Sequence, residues 1–222
     1  MKFQLTELIE HIDKSIYNAN NNVSKLPNYI LDMEGMSGKK TRHLYNNICS
    51  LFNANYLEIG TWAGSSFISS LYGNNINAIA IDNWSEFNGQ KNTFINNVRN
   101  FCPNKTYNFI EKDCFSIEDA EILNIYDGID IFLYDGAHDY ESHKKAITKY
   151  KHLFSELVII IIDDFRNDTS AWADVSIGTY DGLNESKLII HKKIEMQSKQ
   201  ELNGAHEYWN GFGLFICQQP LG

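Results

Sequence analysis

Apolar side chains recur at Leu5, Leu8, Ile9, Ile12 and Ile16, the spacing of one helix face over residues 1–20. Residues 20–40 break that pattern. They are rich in Asn, Gly and Lys, carry Pro27, and predict a loop passing a short helix. Helical spacing resumes over 39–52 through Leu44, Ile48 and Leu51. From residue 55 the pattern changes to short apolar runs: Asn55–Gly60, Ala78–Asp82, Tyr107–Asp113, Ile129–Asp135 and Leu157–Asp163. Each predicts a strand. Between them the chain predicts helices over 65–72, near 88–101, briefly after Ser116, and over 139–150. The run Val158–Ile162, a valine followed by isoleucines, suits a parallel strand buried on both faces. Strands alternating with helices imply an α/β, doubly wound and mostly parallel sheet. Lys187–Ile194 and Gly213–Cys217 follow without a strong helix between them, so the last pair is expected to be antiparallel.

Composition narrows the picture. A chain of 222 residues fits one large domain, or one with a helical appendage. The division expected is an N-terminal helical cap or lid over 1–52 and a main domain over 53–222. A net charge of -9 without a basic stripe argues against a nucleic-acid partner. The apolar runs are too short for a membrane span, and the start, MKFQLTELIEHIDK, is too charged for a signal peptide. Cys49, Cys102, Cys114 and Cys217 form no C-x-x-C pair, which fits free thiols in a reducing, cytoplasmic setting.

Candidate chemistry begins at Tyr56-Leu57-Glu58-Ile59-Gly60-Thr61-Trp62-Ala63-Gly64-Ser65-Ser66. An apolar strand runs into a glycine, and a second glycine opens a helix. Such glycines let the backbone turn and let a ligand approach closely, at the carboxyl end of a strand where α/β folds bind nucleotides. The dinucleotide fingerprint G-x-G-x-x-G is absent. Instead, Glu58-x-Gly60-x-x-x-Gly64 resembles the first motif of class I S-adenosylmethionine-dependent methyltransferases. The longer string Glu58–Ser66 looks most like the small-molecule O-methyltransferases, of the catechol and macrocin groups. The resemblance covers roughly 35–219. It implies a Rossmann-like seven-stranded sheet with a reversed last strand, S-adenosylmethionine as cofactor, and a small-molecule hydroxyl acceptor: a sugar, a glycosylated natural product or a catechol-like ring. N-methylation, a non-catalytic cofactor-binding module and an NAD-dependent oxidoreductase are the alternatives. A homo-oligomer is left open.

The predicted strands each end beside an acid: Glu58, Asp82, Asp113, Asp135, and Asp163 with Asp164. In a parallel sheet those ends share one crevice. Acids at five successive strand ends on one rim without a compensating ligand would repel one another, so their recurrence points to a cationic sulfonium, ribose hydroxyls and a metal as candidates. Asp82, followed by Asn83 and Trp84, is expected to accept the ribose hydroxyls, with Trp84 either covering the base or packing in the core. The turn Gly60-Thr61-Trp62 and Ser66 are expected at the methionyl end, by resemblance, with Glu58 ordering the loop or the amine. Asp113 and Cys114 are expected near the adenine. Gly35-Met36-Ser37-Gly38 is a candidate lid, placing Met36 and Ser37 at the cofactor, or else a plain surface loop.

The second informative stretch is Tyr134-Asp135-Gly136-Ala137-His138. Transfer to oxygen needs the acceptor proton removed, and histidine titrates near neutrality. His138 stands where catechol-type enzymes carry a lysine base, so His138 and Asp135 are the catalytic candidates; a helix N-terminal residue bonded to a neighbour is the other reading of His138. Asp135, Asp163 and Asp164 are hard oxygen ligands suited to magnesium, and the Asp-Asp pair matches the macrocin type. A helix cap with a solvated neighbour is the other reading of that pair. Trp172, within 167–187, is a candidate pocket wall or else part of a helix packing its aromatic residues inward, and His206-Glu207-Tyr208-Trp209 is a candidate pocket edge. His11, His43, His143, His152 and His191 show no metal spacing and are expected at the surface.

Overall fold

The computed structural model describes residues 2–165, 173–196 and 207–220. Its helices are α1 (Leu5–Asn20), α2 (Asn28–Leu31), α3 (Lys39–Ile48), α4 (Ser65–Leu71), α5 (Lys91–Phe101), α6 (Asp119–Leu123), α7 (Tyr140–Tyr150) and α8 (Ala173–Glu185). Its strands are β1 (Asn55–Ile59), β2 (Asn77–Asp82), β3 (Tyr107–Glu111), β4 (Ile129–Tyr134), β5 (Phe154–Asp163), β6 (Ile189–Met196) and β7 (Phe212–Gln218). They form one seven-stranded sheet in the order β3-β2-β1-β4-β5-β7-β6. β1 to β5 are parallel, and β7 runs antiparallel to both β5 and β6. The expected doubly wound α/β sheet with its reversed last strand is what the chain builds.

Strand alternation divides the core in two. Tyr56 and Glu58 of β1 face α1, α3, α4 and α5, where Leu8, Ile12, Leu44, Ile48, Phe67 and Phe94 pack. Leu57 and Ile59 face the other side, with Ile147 and Tyr150 of α7 and Val175 and Leu183 of α8. Residues 1–52 therefore share a core with the sheet: Leu8 and Ile12 lie in the same cluster as Ile159 and Leu214. The chain moves outward from β1 to β3 and returns on the opposite side of β1 as β4. That reversal opens a crevice at the carboxyl ends of β1 and β4, the place where open α/β sheets bind ligands.

Local chemistry sets the boundaries. Gln4 and Glu7 form a reciprocal cap at the start of α1, and the Asp139 carboxylate accepts the Ser142 amide at the start of α7. α5 starts at Lys91 because Trp84, Phe87, Asn88 and Gly89 take left-handed backbone before it. β5 begins at Phe154, three residues before the apolar pattern suggests, because Phe154 pairs with Ile129 ahead of a register shift. The four cysteines are free. The expectation of surface histidines fails at two positions. His43 and His143 are buried: His43 hydrogen bonds Ser24, and His143 lies under the start of α7. No helix among the described residues is long and apolar enough to cross a membrane.

Candidate functional site

The turn between β1 and α4 is built on two glycines. Gly60 has φ +86°, and a Cβ there would stand 1.8 Å from the Asp135 carbonyl oxygen, so only glycine lets the β1 turn touch the end of β4. Gly64 has φ +91° and closes against the Phe94 ring. Backbone bonds lace the neighbouring ends together: Gly60 N–H donates to Ile81 and Asp135 N–H to Ile59, each at 2.9 Å. Thr61, between the glycines, is 2% exposed, and its hydroxyl has no hydrogen-bond partner among the described residues. A buried hydroxyl left over inside a turn that no Cβ can fill fits a ligand with polar groups lying on this loop.

Asp82 ends β2 beside that turn. One of its oxygens accepts the Trp62 amide at 2.8 Å and the other the Trp84 amide at 2.6 Å. The Trp84 indole donates to the Trp62 carbonyl at 2.8 Å, and the Trp62 indole to the Phe87 carbonyl at 3.0 Å. Trp84 is buried, with its ring against Phe94 and Phe109. Of its two sequence-level readings the packing one describes its position. Asn83 is exposed and accepts from the Ser85 amide and hydroxyl. At the end of β3, Asp113 accepts the Phe115 amide at 2.8 Å, and the Cys114 carbonyl accepts the Tyr150 hydroxyl. Burial pushes the Cys114 thiol up to about 12, so it is not a nucleophile.

Glu58 lies within the core face of β1, fully buried. Tyr56 donates to one carboxylate oxygen, and Ser66 to the other at 2.6 Å. Burial pushes the Glu58 carboxyl up to about 8; the two hydroxyls pull against that rise, and Asp135 and Asp82 add to it. Because the Ser66 proton is committed to Glu58, Ser66 offers a ligand its amide rather than its hydroxyl. Met36 is half-exposed and Ser37 is buried. The Ser37 hydroxyl meets that of Ser65 at 3.0 Å and accepts from Arg42 Nε at 3.0 Å. The lid candidate thus sits on the start of α4.

Across the crevice, His138 Nε2 lies 3.2 Å from Asp164 Oδ2 and 3.6 Å from Asp135 Oδ1. Burial lowers the imidazole pKa, but the two carboxylates overcome it and hold the group above its ordinary value. Asp164 reaches His138 from a left-handed backbone, φ +52°. Asp163 points the other way, buried beside Tyr45, and accepts the Asp164 amide at 3.1 Å. Burial, then Asp135 and Asp164, push its carboxyl well above the usual range. Among the described residues no three metal-ligating side chains converge on one position. Behind His138, the His143 ring sits edge-on to Tyr134 with centroids 4.9 Å apart, and 6.2 Å from His138. Burial pulls His143 down to about 3, so it is neutral.

The acid-rich rim is therefore less frustrated than a count of charges suggests. Asp82 and Asp113 cap backbone amides, Glu58 accepts two hydroxyls, and Asp135 and Asp164 face an imidazole. Glu207, Tyr208 and Trp209 pack on the N-terminal helices: Glu207 pairs with Lys40, Tyr208 donates to Asn20, and the Trp209 amide donates to Thr41. Trp172 and His206 lie outside the described residues. Sequence reasoning missed Arg42, Ser65 and His143. Of these only His143 carried a signal, its place in the buried stripe of α7.

Residues 57–165 match a family described as a methyltransferase domain. The fold resembles an O-methyltransferase from Bacillus cereus in complex with SAH: TM-score 0.57, 17% identity, covering 96% of this chain and 91% of that one. It also resembles a protein from Klebsiella pneumoniae assigned as an O-methyltransferase: TM-score 0.57, 14% identity, covering 94% and 90%. At these identities the likeness establishes the fold. A comparison with curated proteins finds no match.

Proposed function

From a class I S-adenosylmethionine-dependent methyltransferase domain, which this chain carries, we infer a methyl transfer to a hydroxyl oxygen of a small molecule. The acceptor classes are sugars, glycosylated natural products and catechol-like rings. The observation that carries the reading is the place of His138. It stands at the carboxyl end of β4, next to the strand end that touches the Gly60 turn, and between two carboxylates. A cofactor lying on the β1–α4 turn would present its sulfonium on this side of the crevice. Gly60, Thr61 and Gly64 seat it. Asp82 fixes the backbone under the ribose, Asp113 and Cys114 border the base, and Glu58 stands beneath the methionyl amine.

With Nε2–H directed at Asp164, Nδ1 carries the imidazole lone pair. The acceptor hydroxyl gives its proton there as its oxygen takes the methyl group, and the thioether S-adenosylhomocysteine leaves. Asp135 and Asp164 stabilise the imidazolium formed. Positioning two reactants in line accounts for about 7–11 kcal/mol of such a barrier, and a general base for about 10²–10⁴ in rate.

Magnesium is a second reading, which Asp135 and Asp164 would serve from beside His138, Asp163 being turned away from them. Their oxygens are the donor type that ion takes, and it would compete with His138 for Asp135 and Asp164. Two measurements test the scheme. Titration calorimetry with S-adenosylmethionine and S-adenosylhomocysteine, with NAD as control, reads the cofactor. Turnover on a panel of catechol, sugar and amine acceptors, with EDTA and with added magnesium, reads the chemistry. His138→Ala is expected to keep cofactor affinity and to lower turnover at least about a hundredfold. Unchanged turnover would remove His138 as the base, and activity lost to EDTA and restored by magnesium would establish the ion.

A further inference from the structure

Arg42, on α3, is 3% exposed, and its hydrogen bonds among the described residues go to neutral oxygens. Nη1 donates to the carbonyls of Ile30, Leu31 and Met33 at 3.0, 3.2 and 2.8 Å. Nε donates to the Ser37 carbonyl at 3.2 Å and to its hydroxyl at 3.0 Å. Nη2 makes a long 3.5 Å contact to the Gly35 carbonyl. Burial pulls the guanidinium down to about 10, with Asp32 offsetting part of the fall. A buried charge whose hydrogen bonds go to carbonyls and a hydroxyl carries a desolvation cost that a close counter-charge would offset further.

The position of the group says which counter-charge. Arginine can only donate, so the Ser37 hydroxyl accepts from Nε at 3.0 Å, and its own proton is available for Ser65 Oγ, also at 3.0 Å. With the bond in that direction, the Ser65 proton is directed elsewhere. Ser65 opens α4 directly after the glycine turn. A Cβ on Gly35 would meet Ser65 Oγ at 2.2 Å and Arg42 Nη2 at 3.1 Å, so both groups border the same spot. Under the proposed function, on which this inference rests, ribose and base lie toward β2 and β3. The methionyl end then lies toward β1 and β4, where residues 35–37 meet α4.

We propose that Arg42 is a positioning residue for the carboxylate of the cofactor's methionyl group. It fixes residues 30–37 through their carbonyls, aligns the Ser37–Ser65 hydroxyl chain with that carboxylate, and takes the carboxylate as a counter-charge. Lysine cannot replace it, because one ammonium has neither the fork nor the five donors.

The test compares two ligands that differ at this end. S-adenosylhomocysteine carries the amino-acid group, whereas 5′-methylthioadenosine has the same nucleoside and thioether without it. Calorimetric titration of both into wild type, Arg42→Lys and Ser37→Ala reads the selectivity directly. Both variants are expected to weaken S-adenosylhomocysteine about tenfold or more, the scale of a hydrogen bond to a charged group, and to leave methylthioadenosine within about twofold. Equal losses on both ligands, or no loss on either, would overturn the role of Arg42, since a general structural part does not discriminate between them. If Arg42→Lys fails to fold, Ser37→Ala carries the same comparison. Wild type that binds neither ligand overturns the cofactor reading itself, and this inference with it.

Discussion

Glu58 lets a charge on the wall of the site be read as a stability. Its carboxyl is fully buried, and burial raises its pKa from 4.5 in the open chain to about 8. The folded state therefore favours the protonated acid. Below about pH 4.5 the group is neutral in both states and its contribution is complete; as pH rises toward 8 the unfolded chain ionises freely while the folded one resists, so stability falls across that window and levels off above it. At about 1.4 kcal/mol per unit, full ionisation costs on the order of 3–5 kcal/mol. Glu58→Gln removes the titration and keeps the shape. The amide oxygen can accept from one hydroxyl, and the amide nitrogen can donate to the other, because Tyr56 and Ser66 both accept as well as donate.

The assay is urea unfolding of wild type and Glu58→Gln without cofactor, at unit steps from pH 5 to 9. All other titrations are common to the pair and cancel in the difference. Wild type is expected to lose ground to the variant by up to about 1.4 kcal/mol per pH unit in the middle of the range, and the gap is expected to stop growing above about pH 8. Binding adds a second readout. A cofactor ammonium above the carboxylate favours its ionised form, so near pH 7 wild type should release a proton on binding S-adenosylhomocysteine. Calorimetry in buffers of different ionisation enthalpy detects that release, and Glu58→Gln should show none from this source. Parallel stability curves for the two proteins would refute the reasoning, because they would mean that Glu58 is ionised at an ordinary pKa inside the core.

Two further changes probe the same crevice. Gly60→Ala forces a Cβ toward the Asp135 carbonyl at φ +86°; it is expected to cost about 2–5 kcal/mol in urea unfolding and to abolish measurable S-adenosylhomocysteine binding, and near-normal values of both would show that the β1–β4 contact yields. Asp82→Asn keeps one acceptor and turns an amino group toward the other backbone amide. Calorimetry should show the affinity reduced about tenfold or more, at a stability cost of about 1–3 kcal/mol, whereas unchanged affinity would separate the Trp62–Trp84 backbone from the cofactor.

What the sequence made legible follows the reach of each signal. Buried parallel strands declare themselves by composition, as Val158–Ile162 does, and the caps at Asp82, Asp113 and Asp139 act on amides two or three residues away. For 167–187 the sequence offers a helix packing its aromatic residues inward beside the pocket-wall reading, and a helix, α8, is what forms over Ala173–Glu185, with Gly178 and Gly182 inside it. They are there because α8 lies directly on α7: a Cβ on Gly178 would stand 2.3 Å from the Tyr140 carbonyl. His143 was legible by spacing and missed by type. It forms an i, i+3, i+4, i+7 stripe with Ala146, Ile147 and Tyr150, all buried, so its burial follows from the helix period whatever its polarity.

α3 marks the limit of that method. Its apolar residues predict an amphipathic helix, yet its polar face is covered too, and each buried polar side chain fastens a loop. Thr41 accepts the Trp209 amide, His43 meets Ser24, and Asn46 accepts the Lys25 amide and donates to Ser69 and Tyr72. Arg42 gathers the carbonyls of Ile30, Leu31 and Met33. To a periodicity argument, backbone carbonyls and water are equivalent partners for an arginine. They differ in consequence: water would leave Arg42 a solvated surface charge, whereas carbonyls make it a rigid, under-compensated cation beside the cofactor turn. That difference turns a residue with no sequence signal into the sharpest test of how the site holds its ligand.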